Sequence, residues 1–259
     1  MDFLTVQSRR IEYECLSANK PEANSPTIVM LHEGLGSNAM WRDFPQQVAD
    51  STGSEVVVYS RYGYGKSDAI ETGYSPDFMH KEALESLPDL LDQLNIQKPI
   101  LFGHSDGGSI ALIHAGGTNR DLSGVIVMAP HIMVEKITVT QITAAKDAYL
   151  NCNLREKIAK YHDNVDSLFR AWTDIWLHPD FLQWNIEDYL PVITCPVLAI
   201  QGVDDEYGTM EHLDIISRKV KDVDLVKLSN CKHSPHKDQP QAVLNAVAAF
   251  VLKLKAATV

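Results

Sequence analysis

The chain has 259 residues, of which 45% are hydrophobic and 22% charged. That supplies a packed core and argues against disorder, and the length fits one α/β domain of about 200–250 residues with an insertion. Asp and Glu total 34 against 23 Lys and Arg, for a net charge of −11; such a chain repels phosphate backbones and anionic bilayers, so nucleic acid and membrane surfaces are not expected partners.

Phe3–Val6 and Arg10–Leu16 alternate apolar and polar residues and read as an opening hairpin. Thr27–His32, Val56–Ser60, Ile100–Phe102, Gly124–Met128, Val197–Gln201 and Val223–Leu228 read as strands buried on both faces, the sign of a parallel sheet. Between them, Pro76–Leu94, Gly107–Ala115 and Glu211–Val220 read as helices, and Pro240–Leu254 repeats apolar residues at helical spacing. The fold class is therefore α/β, with a mostly parallel central sheet flanked by helices. Residues 133–190 break the rhythm: they carry helical patterns, no convincing strand, and three of the chain's four tryptophans. They read as a helical cap inserted into a core of residues 1–132 and 191–259, most of their aromatics packing the cap to the body.

No apolar run approaches the roughly 18 residues of a spanning helix, and the first residues lack the features of a signal peptide. The four cysteines, Cys15, Cys152, Cys195 and Cys231, form no CxxC pair and read as reduced thiols of a cytoplasmic protein.

The most informative segment is Gly103-His104-Ser105-Asp106-Gly107, between a strand and a helix. A serine on so sharp a turn leaves no room for side chains two residues either side, so both flanking positions are glycine. The turn lifts the hydroxyl out at the end of the strand, and the helix N-terminus faces negative charge that develops there. A nucleophilic serine needs a base and an orienting acid. Asp204 and Asp205 follow one strand and His233 and His236 follow the last, both at strand ends where α/β sheets build their sites. Spacing alone leaves each choice open. Cys231, His233 and His236 lack a fourth ligand for zinc, and neither a metal nor an organic cofactor is expected.

From Thr27 onward the chain resembles the α/β-hydrolase family. Gly202-Val203-Asp204-Asp205 is similar to that family's G-x-x-D acid turn, which implies Asp205 as the acid. Cys231-Lys232-His233 and the following Asp238-Gln239-Pro240 are similar to its G-H-x-x-x-x-E-x-P segment, which implies His233 as the base, with Lys232 for the glycine and Asp238 for the glutamate. His236 is left with a local hydrogen-bonding or surface part. His32-Glu33-Gly34-Leu35-Gly36-Ser37 resembles the H-G-x-x-G-S loop, which implies that the backbone N–H of Gly34 joins that of Asp106 in an oxyanion hole. Glu33 stands where the family has glycine, so its carboxylate must turn away or meet a cation, with Arg61 and His32 as candidates. Arg61-Tyr62-Gly63-Tyr64-Gly65-Lys66-Ser67 resembles a structural D-x-R-G-x-G-x-S turn. Asp106 can attract a substrate ammonium, point into the sheet or bond nearby backbone. His131, Trp172 and Trp176 are expected to line the pocket.

These readings imply a serine hydrolase acting on a small or medium carboxylic ester through an acyl-enzyme on Ser105. Thioesterase, lactonase, amidase and C–C bond hydrolase activities use the same parts, and a non-catalytic ligand receptor on the same fold is the reading from another class. The expected partner is a small acyl substrate, with the chain a monomer or homodimer.

Overall fold

The computed structural model describes residues 1–256. The hairpin forms from β1 (Asp2–Val6) and β2 (Arg9–Leu16), closed by Gln7 and Ser8, both at positive φ. After β3 (Ile28–Leu31) comes α1 (Phe44–Thr52), a helix that the sequence reading left out. Its apolar signal is short: Phe44, Val48 and Ala49 face inward, and Gly53 ends it in a left-handed conformation.

The expected helix after β4 (Val56–Tyr59) starts at Phe78 and has three parts: α2 (Phe78–Lys81), a widened π turn (Glu82–Ser86) and α3 (Leu87–Gln93). Pro88 has no N–H to return to the Leu84 carbonyl, and the wide turn falls just before it. Next come β5 (Ile100–His104), α4 (Asp106–Gly117) and β6 (Gly124–Met128). The sheet order is β1-β2-β4-β3-β5-β6, continued by β7 (Val197–Gly202) and β8 (Val223–Leu228), with β3 to β8 parallel. One expectation fails here: β8 is an edge strand with Asp224 and Lys227 exposed. A strand paired on one side only has no need of two apolar faces.

Side chains alternate across the sheet. Val29, Leu31, Leu101, Val125 and Val127 join one core, under α2 to α4 and the inserted helices. Ile28, Met30, Ile100, Phe102, Ile126 and Met128 join the other, under α1 and the last helix.

Between β6 and β7 the chain forms α5 (Lys136–Asn151), α6 (Leu154–Ile158), α7 (Val165–Trp176) and two 3-10 turns. The ends of this excursion meet: Met133 bridges Asn185, and Ile186 N–H donates to the Ile132 carbonyl at 2.8 Å. Tyr149 stacks on Phe169 at 3.7 Å, and Trp176 meets Phe181, which reaches Phe78. His162 fixes the excursion to the body, accepting from Gly65 N–H at 2.9 Å and donating to the Leu35 carbonyl at 3.0 Å. After β7, α8 (Glu211–Lys219), the short α9 (Pro235–Asp238) and α10 (Pro240–Ala256) complete the described residues. No helix among them is long and apolar enough to cross a membrane.

Candidate active site

Ser105 sits between β5 and α4 with φ 52° and ψ −119°, a conformation that L residues seldom adopt. Its neighbours make the turn possible. A Cβ on Gly103 would lie 2.2 Å from the Gly107 carbonyl oxygen, and one on Gly107 would lie 2.2 Å from that of Leu31. Ser105 N–H donates to the Met128 carbonyl at 2.9 Å, which anchors the turn to β6.

The ends of β7 and β8 bring the other two groups. Gly202 passes so close to the histidine loop that a Cβ there would lie 2.1 Å from the Cys231 carbonyl. Asp204 faces solvent and Asp205 is buried, so the fold separates two neighbours that spacing could not. Asp205 Oδ1 lies 2.8 Å from His233 Nδ1, and His233 Nε2 lies 3.0 Å from Ser105 Oγ. A carboxylate only accepts, so Nδ1 carries the proton and Nε2 is free to accept from the hydroxyl. Asp205 also accepts from Tyr207 N–H at 2.8 Å and, through Oδ2, from the Gln201 amide at 3.1 Å. Burial pushes its carboxyl up, but the His233 bond and charge and the Tyr207 amide outweigh it and hold the pKa below the usual range.

His236 departs from expectation. It is buried among Trp41, Phe44 and His104, and neither ring nitrogen has a hydrogen-bond partner. It is neither a surface residue nor a local hydrogen-bonding group, because α9 turns it inward.

The loop after β3 is braced from behind. Arg61, 2% exposed, donates to the carbonyls of His32 and Glu33, the second at 3.2 Å. His32 Nε2 accepts from Arg61 N–H at 3.1 Å, so its Nδ1 donates to the Glu33 carbonyl at 2.7 Å. With those carbonyls held inward, the N–H groups of Gly34 and Asp106 have no protein acceptor among the described residues. The Glu33 carboxylate meets neither proposed partner. It lies 3.1 Å from His104 Nδ1 and 3.4 Å from Lys237 Nζ, whereas Arg61 reaches only the Glu33 backbone.

A cleft of about 130 Å3 opens over Ser105, with Gly34, Asp106, His131, Trp172, Trp176 and Tyr207 in its walls. Four buried polar atoms here have no hydrogen-bond partner: Asp106 Oδ2, Trp172 Nε1, Trp176 Nε1 and His131 Nδ1. Asp106 lines the cleft with its Oδ2 facing Gly34, and its carboxylate accepts no backbone hydrogen bond among the described residues. Burial raises its pKa to about 6, while Arg61, the Trp176 indole and His233 pull it back. Burial also pushes His131 well below the ordinary histidine value, with His212 and His233 adding to it. Sequence reasoning missed Tyr207, whose ring lies 4.8 Å from that of His233; its place two residues after Asp205 was the available signal. It also missed the pair of half-buried Glu135 and buried His212, at 2.8 Å behind His131, which joins the excursion to α8 and has no sequence signature.

A strained serine, an imidazole in reach of its hydroxyl, a carboxylate behind the ring and two unbonded amides define a site fitted to nucleophilic attack on a carbonyl. Residues 28–246 match the α/β hydrolase family, and the chain belongs to it. It is 25% identical to the mouse sn-1-specific diacylglycerol lipase ABHD11, over 89% of this chain and 82% of that one. It is 26% identical to the human serine hydrolase BPHL, over 70% and 64%. The solved proline iminopeptidase of Mycobacterium smegmatis superposes over 100% of both chains with a TM-score of 0.78 at 17% identity, a likeness of fold.

Proposed function

We propose that the chain is a serine hydrolase that cleaves small or medium carboxylic esters through an acyl-enzyme. The observation that carries this is the continuous relay from Ser105 Oγ through His233 to Asp205, at 3.0 and 2.8 Å. Ser105 attacks the acyl carbonyl while His233 Nε2 takes its proton, and Asp205 holds the ring and stabilises its charge. The oxyanion sits on the N–H groups of Gly34 and Asp106, which need no reorganisation to receive it. The leaving alcohol takes the proton back from His233. Water, activated by the same ring, then cleaves the acyl-enzyme and frees Ser105. The lipase and serine hydrolase named among the relatives support the class, and the narrow cleft supports a substrate of modest size. Residues 133–190 act as the cap, with Trp172 and Trp176 against the substrate. In the test, a fluorophosphonate probe labels Ser105 and p-nitrophenyl acetate or butyrate is turned over; an unlabelled Ser105 in folded protein overturns the mechanism.

A second reading concerns the substrate and rests on Asp106. A buried carboxylate with one oxygen left unbonded favours a cation, so esters with an amino group beside the scissile carbonyl are the preferred substrates. Matched esters with and without an α-amino group test this: Asp106→Ala slows the amino esters selectively, and an equal loss on both rejects the preference.

A further inference from the structure

His104, between Gly103 and Ser105, is wholly buried, and the chemistry above gives it no part. Its Nε2 lies 2.7 Å from the backbone carbonyl of His233, and its Nδ1 lies 3.1 Å from Glu33 Oε2. A carbonyl only accepts, and so does an ionised carboxylate; a ring with one N–H can satisfy only one of them. Burial pushes the Glu33 carboxyl up, but the His104 ring and Lys237 outweigh it and keep it ionised, well below the usual carboxylate range. The other titratable rings facing His104 are those of His233 and His236, at 5.3 and 5.0 Å between centroids. Burial pushes His236 well down, so it brings no competing charge.

The contact ties together three loops that no local sequence connects. Glu33 sits beside Gly34 in the oxyanion loop, and Gly36 leaves room for its side chain, since a Cβ there would lie 2.8 Å from Oε2. His104 belongs to the serine turn. The His233 peptide is held from both sides, its carbonyl by His104 and its N–H by Glu206 Oε2 at 3.2 Å.

Building on the serine-hydrolase reading, we propose that Glu33 and His104 form a positioning pair that fixes the main chain of His233 and so aims its Nε2 at Ser105. The pair touches no reacting atom and acts through His233. Without Glu33, the ring loses the partner that fixes its orientation and tautomer, and the loop is free to drift. Displacements of about 1 Å in such sites cost up to about a hundredfold in rate.

Two measurements test this. The first is 15N NMR of histidine-labelled protein at pH 7, with His104 assigned by the signals lost in His104→Phe. A proton on Nε2, bonded to the His233 carbonyl, is expected; a bare Nε2 overturns the proposal. The second is kinetics on p-nitrophenyl butyrate. Glu33→Ala lowers kcat about tenfold with KM changed less than about twofold, and slows fluorophosphonate labelling to match. Glu33→Gln recovers most of that loss, because its amide can donate to Nδ1 while Nε2–H keeps its bond to the His233 carbonyl. Unchanged kcat in Glu33→Ala, or a folded Glu33→Gln as slow as Glu33→Ala, overturns the proposal. Should Glu33→Ala fail to fold, Glu33→Gln decides: kcat within about threefold of wild type supports the pair, and a larger loss at unchanged fold rejects it. If the wild type neither labels nor turns over ester, the hydrolase reading fails and takes the positioning role with it, while the NMR still reports the ring.

Discussion

Two sets of polar groups around the cleft differ in how they are satisfied. In the first, Ser105, His233 and Asp205 are bonded in series, and Asp205 accepts from His233, Tyr207, Gly208 and Gln201. Elsewhere in the lining, Trp172 Nε1 and Trp176 Nε1 from the inserted helices and His131 Nδ1 and Asp106 Oδ2 from the body are buried with no hydrogen-bond partner. An unmade buried hydrogen bond costs about 1–3 kcal/mol, so the second set is expensive to keep in a folded chain. On the proposed function, the first set is the preorganised reacting centre and the second is the wall that meets the substrate.

Removing the first set should have the largest effect. Ser105→Ala abolishes probe labelling and lowers kcat/KM on p-nitrophenyl butyrate by at least about a thousandfold, with thermal stability nearly unchanged. Residual turnover above about 1% would place the nucleophile elsewhere. Gly34→Ala strikes where the two sets meet, since its Cβ would lie 2.2 Å from Trp172 Nε1 and 2.9 Å from Asp106 Oδ2. Trp172 must shift, and kcat/KM falls by about 10–100-fold; a wild-type rate would mean the loop and Trp172 are not in contact in solution.

Asp106→Asn addresses the wall. The preference for α-amino esters drops by about 10–100-fold, the worth of one charge-assisted hydrogen bond. In the wild type that preference fades as the pH falls through about 6, where Asp106 takes up its proton. Stability follows the same group. Its folded pKa of about 6 lies above the ordinary 3.8, so the folded chain holds this proton more tightly than the unfolded one. The wild type therefore loses stability as the pH rises from about 4 to about 6, and Asp106→Asn does not. The variant's advantage is near zero below pH 4 and reaches about 2–3 kcal/mol above pH 7. Denaturant titrations at pH 4 and 7.5 measure it, and a constant difference would refute the raised pKa. The smallest change is Trp172→Phe, which removes one unbonded N–H: stability stays within about 1 kcal/mol, while KM for the preferred ester rises a few-fold. A cost of several kcal/mol would mean that the indole is core rather than wall.

The reacting centre was more legible in the sequence than the wall. Gly103, Ser105 and Gly107 announce themselves because a strained turn tolerates so few residue types. Asp205 and His233 came only through resemblance, since Asp204 and His236 fit the spacing as well; burial of Asp205 and the inward turn of α9 separate them in the fold. For Glu33, reasoning from the loop alone looked to Arg61 and His32, because nothing local connects residue 33 to His104 or to Lys237. The short α1, the half-exposed β8 and the π turn before Pro88 escaped for a related reason: each depends on what packs against it.

Residue by residue, the sequence determined the alternation of strand and helix, the serine turn with its two glycines, and the inserted helical stretch rich in aromatics. These follow from backbone sterics and hydrophobic periodicity, which act over a few residues. Tertiary structure decided which carboxylate backs His233, where Glu33 finds its partner, and which polar atoms stay unbonded around the cleft. Those outcomes depend on groups up to 204 positions apart meeting at the ends of parallel strands, as Glu33 and Lys237 do, and a distance set by the packing of a whole sheet is written in no single stretch of chain.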